Sequence, residues 1–391
     1  MALEVCLTVF AAAALAAGGL NWLALIPWRR AAGEHWTERA RRLYPVRVSA
    51  ALNQWLIPAN CVLAQRLLVP EAHTPWLAAA LCGWVGALVG SYPSDCEIFP
   101  GVPFWDWLQY VVAVWLLRLG FWGIFIAGAL LMPAAFGWPM VTITSVVLFL
   151  FFLAQYGMFV RLARELRLFK PPTERLRRIV SEATRRMNVP VRAVWEVTGP
   201  YSYAAALPTT RELLFSTRLL ERQADDEVAA ICAHELGHLS ESRRALVGRL
   251  AGSLWPFPLL FFGAAVSALG AGGFAVVALA TGLLMVFLRR LARRMEQRAD
   301  VIAVENQRES GTYARALERL YQANQMPAVM TSNRLPHPHL YDRLLAAGLT
   351  PEYPRPRPPA KSAWHGALMW ILLGLLVGLA LAQAQTPVPS V

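Results

Sequence analysis

His234, Glu235 and His238 stand in the run Cys232-Ala233-His234-Glu235-Leu236-Gly237-His238-Leu239, the spacing HExxH. On an α-helix the two histidines lie one turn apart on one face, so both imidazoles can hold a single zinc ion, while Glu235, displaced by about 100°, reaches a water beside it. The chemistry implied is hydrolysis of a peptide bond, with Glu235 as general base. A further ligand comes from residues 289–300, where Glu296 and Asp300 are four apart among arginines. On a helix these carboxylates share a face, so Glu296 can complete a His-His-Glu site and Asp300 can orient a ligand histidine from behind. Alone, ExxxD describes a solvated helix face; after HExxH and an intervening apolar hairpin it becomes far more specific.

Elements that would position these groups are legible around them. Asp225, Asp226 and Glu227 put negative charge in the first turn of the HExxH helix, and Val228, Ile231, Glu235, His238 and Leu239 fall on one inward stripe. Residues 173–187 read as a basic helix with Leu176, Ile179, Val180 and Ala183 as its apolar stripe. The short β-prone runs 189–197 and 211–217 give a two- or three-stranded sheet beside the HExxH helix, and residues 312–324 give one more helix.

The rest of the chain is too apolar for a soluble domain: of 391 residues 56% are hydrophobic and only 16% charged. Several uncharged runs reach the roughly 20 residues of helix needed to cross a ~30 Å hydrocarbon core. The net charge of +12 is almost wholly arginine, and the arginines cluster beside apolar runs, as in cytoplasmic loops. That distribution argues against nucleic acid as a partner. Five cysteines without a CxxC pair exclude a disulfide framework or a structural zinc cluster. The first apolar run, 5–27, lacks a basic residue ahead of it and is followed by Arg29 and Arg30, so it reads as a retained span with its N-terminus outside.

Spans are then expected at 48–69, 76–89, 108–132 and 141–160, and counting 48–69 as a crossing puts the arginine-rich residues 28–47 and 161–244 in the cytoplasm. Arg118, inside the fourth apolar run, is expected to face a helix neighbour or to snorkel. The expected organisation is an N-terminal transmembrane region 1–160 of about five spans, a first half of the catalytic domain 161–249, a transmembrane hairpin 250–288, a second half 289–350, a proline-rich linker 351–362, and a last span and tail 363–391.

These residues resemble the family of integral-membrane zinc peptidases that includes the CAAX prenyl protease of the Ste type and the HtpX heat-shock protease. The resemblance covers roughly residues 173–345: the run 211–220, HELGH at 234–238, the apolar hairpin, the ExxxAD arrangement from Glu296 to Asp300, and His337-Pro338 followed by Arg343. It implies zinc as cofactor, with His234, His238 and Glu296 as ligands, Glu235 as catalytic carboxylate, Asp300 behind the ligands, and His337 and Arg343 as substrate or transition-state contacts. Tyr201-Ser202-Tyr203-Ala204-Ala205 stands where the family often has Asn-Ala-Phe or Asn-Ala-Tyr.

The fold class expected is therefore mainly α: a polytopic membrane helix bundle with a cytoplasmic zincin-like α+β catalytic domain interrupted by a transmembrane hairpin. The function expected is that of a gluzincin-like endopeptidase in a bacterial inner membrane, acting on peptides, membrane proteins or misfolded proteins at the lipid bilayer. Two alternatives are an antirepressor-type membrane zinc sensor-transducer, against which the absence of a soluble sensor segment argues, and an inactive zinc-fold scaffold, against which the intact Glu235 argues.

Overall fold

A computed structural model describes residues 2–68, 76–330 and 339–359. The chain forms two compact units, residues 1–104 with 321–331 and 353–391, and residues 105–320 with 332–352.

The first unit is built on α1 (Ala2–Ala24), α2 (Trp36–Leu68) and α3 (Trp76–Ile98). α1 and α3 touch through their backbones: a Cβ on Gly86 would lie 2.2 Å from the Phe10 carbonyl oxygen, and one on Gly90 would lie 2.1 Å from that of Ala14. This Gly-x-x-x-Gly face is how helices associate in lipid, where dispersion contacts and not water exclusion hold them together. α2 runs unbroken through Pro45 and Pro58 and buries Ser49 and Asn53. The stretch expected as a span at 48–69 is thus, as far as it is described, the end of a 33-residue helix that begins at Trp36. Its polar residues keep it out of the set of helices apolar enough to cross a membrane by composition.

The second unit opens with the apolar helices α4 (Phe104–Val114) and α5 (Gly120–Leu131), joined by a π-helical turn at Trp115–Leu119, and α6 (Trp138–Gln155). Arg118 falls in that turn, and its side chain lies outside the described residues. After these come α7 (Glu174–Met187), β1 (Ala193–Val197), β2 (Ala204–Leu207), β3 (Glu212–Ser216) and α8 (Asp225–Leu239), the last carrying HExxH. The Thr173 hydroxyl caps α7 by accepting from the Leu176 N–H, and Asn188 ends it at φ 52°. The sheet order is β1-β3-β2, with β1 parallel and β2 antiparallel to β3, so β2 is an edge strand. α8 is buried along almost its whole length. Val228, Ile231 and Leu236 meet Leu176, Ile179 and Val180 of α7 and Leu213 and Phe215 of β3 in one core, each such burial stabilising by about 1.5–3 kcal/mol.

The expected hairpin follows as α9 (Arg243–Ser253), a short helix at Phe257–Leu260, α10 (Phe262–Leu269), and α11 (Ala271–Glu305). Its second limb and the run carrying Glu296 and Asp300 are one helix of 35 residues, so the boundary expected between 288 and 289 falls inside continuous helix. No Gly or Pro occurs in α11 after Gly282, and nothing there could break it. α12 (Thr312–Ala323) and α13 (Leu340–Ala346) complete the unit's described helices.

The protein is mainly helical with a small mixed sheet. Among the described residues four helices are long and apolar enough to cross a membrane, Leu3–Arg29, Trp76–Ile98, Trp138–Gln155 and Ala271–Glu305, or up to six if each of two bent helix pairs is one span. Such helices make this an integral-membrane protein. The expected last span, within 363–391, lies outside the described residues.

Candidate active site

α8 and α11 meet where both are small. A Cβ on Gly237 would lie 3.1 Å from Ala299 Cα, and Ala299 and Ala303 are fully buried. Arg298 of α11 then reaches the end of α8, donating to the carbonyls of Gly237 at 3.2 Å and Ser240 at 3.3 Å, acceptors that the helix itself leaves unsatisfied. One turn before that contact, Glu296 faces the two histidines.

The resulting cluster fits a metal ion. Glu296 Oε2 is 3.6 Å from His234 Nε2, and Glu296 Oε1 is 3.5 Å from His238 Nε2. One ligand atom from each of the three residues can be chosen so that all lie within 4.8 Å of one another. Tetrahedral coordination with bonds of ~2.0–2.2 Å places ligand atoms about 3.3–3.6 Å apart, so the cluster needs little rearrangement to close on zinc. Two imidazoles and one carboxylate are also the donor set of a site that keeps a fourth position open for chemistry.

Behind His234 lies a second layer of contacts. His234 Nδ1 is 3.1 Å from Asp300 Oδ1 and 2.8 Å from the Tyr313 hydroxyl. That hydroxyl donates to Asp300 Oδ1 at 2.6 Å and accepts from Arg343 Nη2 at 3.0 Å. Its one proton is therefore committed to Asp300, and Nδ1, facing two acceptors, carries a hydrogen of its own. Nε2 is left with its lone pair toward Glu296, the tautomer a metal ligand needs. Burial lowers the His234 pKa, but hydrogen bonds to Asp300 and Glu296 and the charge of Glu235 outweigh it and raise it to about 9. The acidic groups thus favour positive charge at this point. Burial pushes the Tyr313 hydroxyl well above its ordinary range, so it stays neutral.

Glu235 stands on the open side. Its Oε2 accepts from the Ala206 N–H at 2.7 Å, which ties the carboxylate to the free edge of β2. Between β2, α8, α9 and α11 lies a cavity of about 370 Å³, lined by Ala204, Ala205, Ala206, His234, Glu235, His238, Arg249, Leu288, Leu291, Ala292, Met295 and Glu296.

Residues 171–348 match the model of peptidase family M48. The resemblance carried by HELGH and ExxxAD holds over that segment. No curated protein matches the chain. The M48 segment contains β1 to β3, α8, the hairpin, α11, α12 and α13, and leaves out the helices before residue 171.

Within the M48 segment, His234, Glu235, His238 and Glu296 converge as the sequence implied, with Asp300 behind His234. Arg343 does not line the described walls of the cavity. Its Nε is 2.9 Å from Asp300 Oδ2 and its Nη2 is 2.6 Å from Asp300 Oδ1, a two-pronged grip on the carboxylate that itself faces His234. His337 lies outside the described residues. Tyr201 and Tyr203 pack near Tyr110, with ring centres 5.4 and 6.1 Å away, and the cavity takes its strand wall from the alanines that follow them.

Three participants escaped the sequence reading: Tyr313, Arg249 and the Ala206 amide. A tyrosine on an amphipathic helix reads as core, an arginine next to an apolar run reads as an interface anchor, and a backbone N–H has no sequence signature. Only the spacing of Arg249, 11 residues after His238 and inside a run otherwise suited to a span, held a hint.

Proposed function

We propose that this chain is a membrane-embedded zinc-dependent endopeptidase that hydrolyses peptide bonds of membrane-associated or misfolded proteins, with Glu235 as general base. The observation that carries this reading is the position of Glu235 between a cluster able to hold a metal and the free edge of β2. A zinc ion held by His234, His238 and Glu296 would supply Lewis acidity, polarising a carbonyl and bringing the pKa of a water toward ~7.

The chain's own groups supply the rest. Glu235 takes a proton from the attacking water and delivers it to the leaving amine. An extended substrate can lie along β2, whose Ala204, Ala205 and Ala206 side chains are small enough for a second backbone to come close. Asp300, with Tyr313 and Arg343, holds the His234 imidazole in orientation and tautomer. We assign Arg343 to this positioning role in place of the oxyanion contact that the resemblance implies, because its fork is on Asp300. His337 keeps the substrate-contact role on the resemblance alone. The arginine-rich flanks of the M48 segment place the site on the cytoplasmic side.

Glu235→Gln tests the proposal. It should abolish cleavage of a peptide substrate while zinc content stays at the wild-type level, because the residue acts on water and not on the metal. Near-normal turnover in that variant would refute the peptidase reading.

A further inference from the structure

Arg249 lines the same cavity, and the mechanism above gives it nothing to do. It sits on α9, in the bent pair Arg243–Leu260 and Phe262–Leu269 that is long and apolar enough to form one span. A charge in such a segment is costly, so it ordinarily faces a protein partner or a polar cavity. Among the described residues no acceptor lies within hydrogen-bond or ion-pair reach of its guanidinium. The two carboxylates whose field it feels are Glu296 and Glu241. Both are engaged elsewhere, Glu296 with the two histidines and Glu241 in an ion pair with Arg298 at 3.3 Å.

Charge balance shows what the cavity lacks. A divalent ion offsets Glu235 and Glu296, and Leu288, Leu291, Ala292 and Met295 are uncharged. Arg249 is then the one uncompensated charge in the walls, beside the bond to be cut. A guanidinium presents a planar fork that matches a carboxylate with two parallel hydrogen bonds, and in a site shielded from salt that attraction is little screened.

We infer that Arg249 makes this cavity a subsite for a carboxylate of the substrate, either an acidic side chain or a free C-terminus within a few residues of the cleaved bond. The inference rests on the peptidase reading and adds which peptides the site takes. Neutral side chains at that position lose the paired hydrogen bonds, and basic ones meet repulsion.

The test uses the full-length, zinc-loaded protein in lipid nanodiscs and a set of quenched fluorescent peptides. Asp, Asn and Lys are placed in turn at each position around the cleaved bond, and each peptide is made with a free and with an amidated C-terminus. At one position, or at the C-terminus, wild type should prefer the acid over its neutral counterpart by about 10–100-fold in kcat/KM, the worth of a charge-assisted hydrogen bond. The same ratio should appear in Kd for binding to Glu235→Gln, a readout free of turnover. Arg249→Ala should erase the preference mainly through KM, and Arg249→Glu should shift it toward Lys, both with wild-type zinc content. A preference tied to the side chain marks an internal acidic residue, and one tied to the free acid marks the C-terminus. Cleavage by wild type with no preference for acid at any position would overturn the inference and leave the peptidase reading standing. So would an acid preference that survives in Arg249→Ala, which would leave Arg249 to a lipid phosphate. If wild type cuts nothing that Glu235→Gln does not, the peptidase reading fails and takes the subsite with it.

Discussion

His234 is the residue on which most of the site converges: its Nε2 faces Glu296 and its Nδ1 faces Asp300 and Tyr313. The hydroxyl of Tyr313 and the fork of Arg343 both end on the same Asp300 carboxylate, so the three act on zinc through one imidazole. Asp300→Ala, Arg343→Ala and Tyr313→Phe should each weaken zinc binding by ~10–100-fold, read by competition with a chelator. Because they share a partner, the losses should be less than additive when Tyr313→Phe is combined with Asp300→Ala. Arg343 gives the sharpest contrast: an oxyanion donor would keep its zinc and lose ~10²–10³ in turnover, and that outcome would return it to the reacting centre. His337→Ala, by contrast, should keep wild-type zinc affinity and lower turnover; wild-type cleavage by this variant would remove it from the site.

At the scale of elements, the third ligand reaches the first two because α8 and α11 cross at Gly237 and Ala299 without a side chain between them. Gly237→Val would insert three carbons where a lone Cβ already comes within 3.1 Å of Ala299 Cα. Overpacking of this kind costs about 1–3 kcal/mol, and here the strain is relieved by moving Glu296 away. The variant should therefore lose zinc affinity as well as thermal stability; a stability loss with wild-type affinity would show that α11 does not set the metal geometry. α1 and α3 make the corresponding contact in the other unit, with the Phe10 carbonyl 2.2 Å from where a Gly86 Cβ would be. Gly86→Leu should lower the melting temperature in detergent, whereas Gly19→Leu, at a position with open space, should not.

For the whole molecule the open question of side is one of parity. α2 is 33 residues long, about 50 Å at 1.5 Å per residue, which exceeds the ~30 Å core it would cross. Its buried Ser49 and Asn53 show that its polar positions include some covered by protein, which is how a span with polar positions can lie in lipid. Counted as a crossing, it puts the HExxH half of the M48 segment in the cytoplasm if the N-terminus is outside. Single cysteines introduced for labelling at positions 39 and 178 should react only from the cytoplasmic face, and one at 270 only from outside. Labelling of position 178 from outside would mean that α2 stays on one side of the membrane.

The sequence by itself determined the chemistry. HExxH fixes two ligands and a base because helix periodicity is local, and ExxxAD fixes a carboxylate pair for the same reason. Apolar runs of about 20 residues likewise announce membrane helices without reference to anything distant. The helices on either side of the hairpin, the capping Thr173 and the core stripe of α7 were legible on the same terms. What the tertiary structure decided are the relations between residues far apart in the chain. Tyr313 meets His234 across 79 positions, Arg343 grips Asp300 across 43, and Glu235 binds the Ala206 amide across 29. No spacing encodes such pairs, since each depends on how two elements dock. The resemblance placed Arg343 near the site, but only the packing of α13 against α11 showed which atom it holds. The cavity that gives Arg249 its setting exists only once β2, α8, α9 and α11 stand around it.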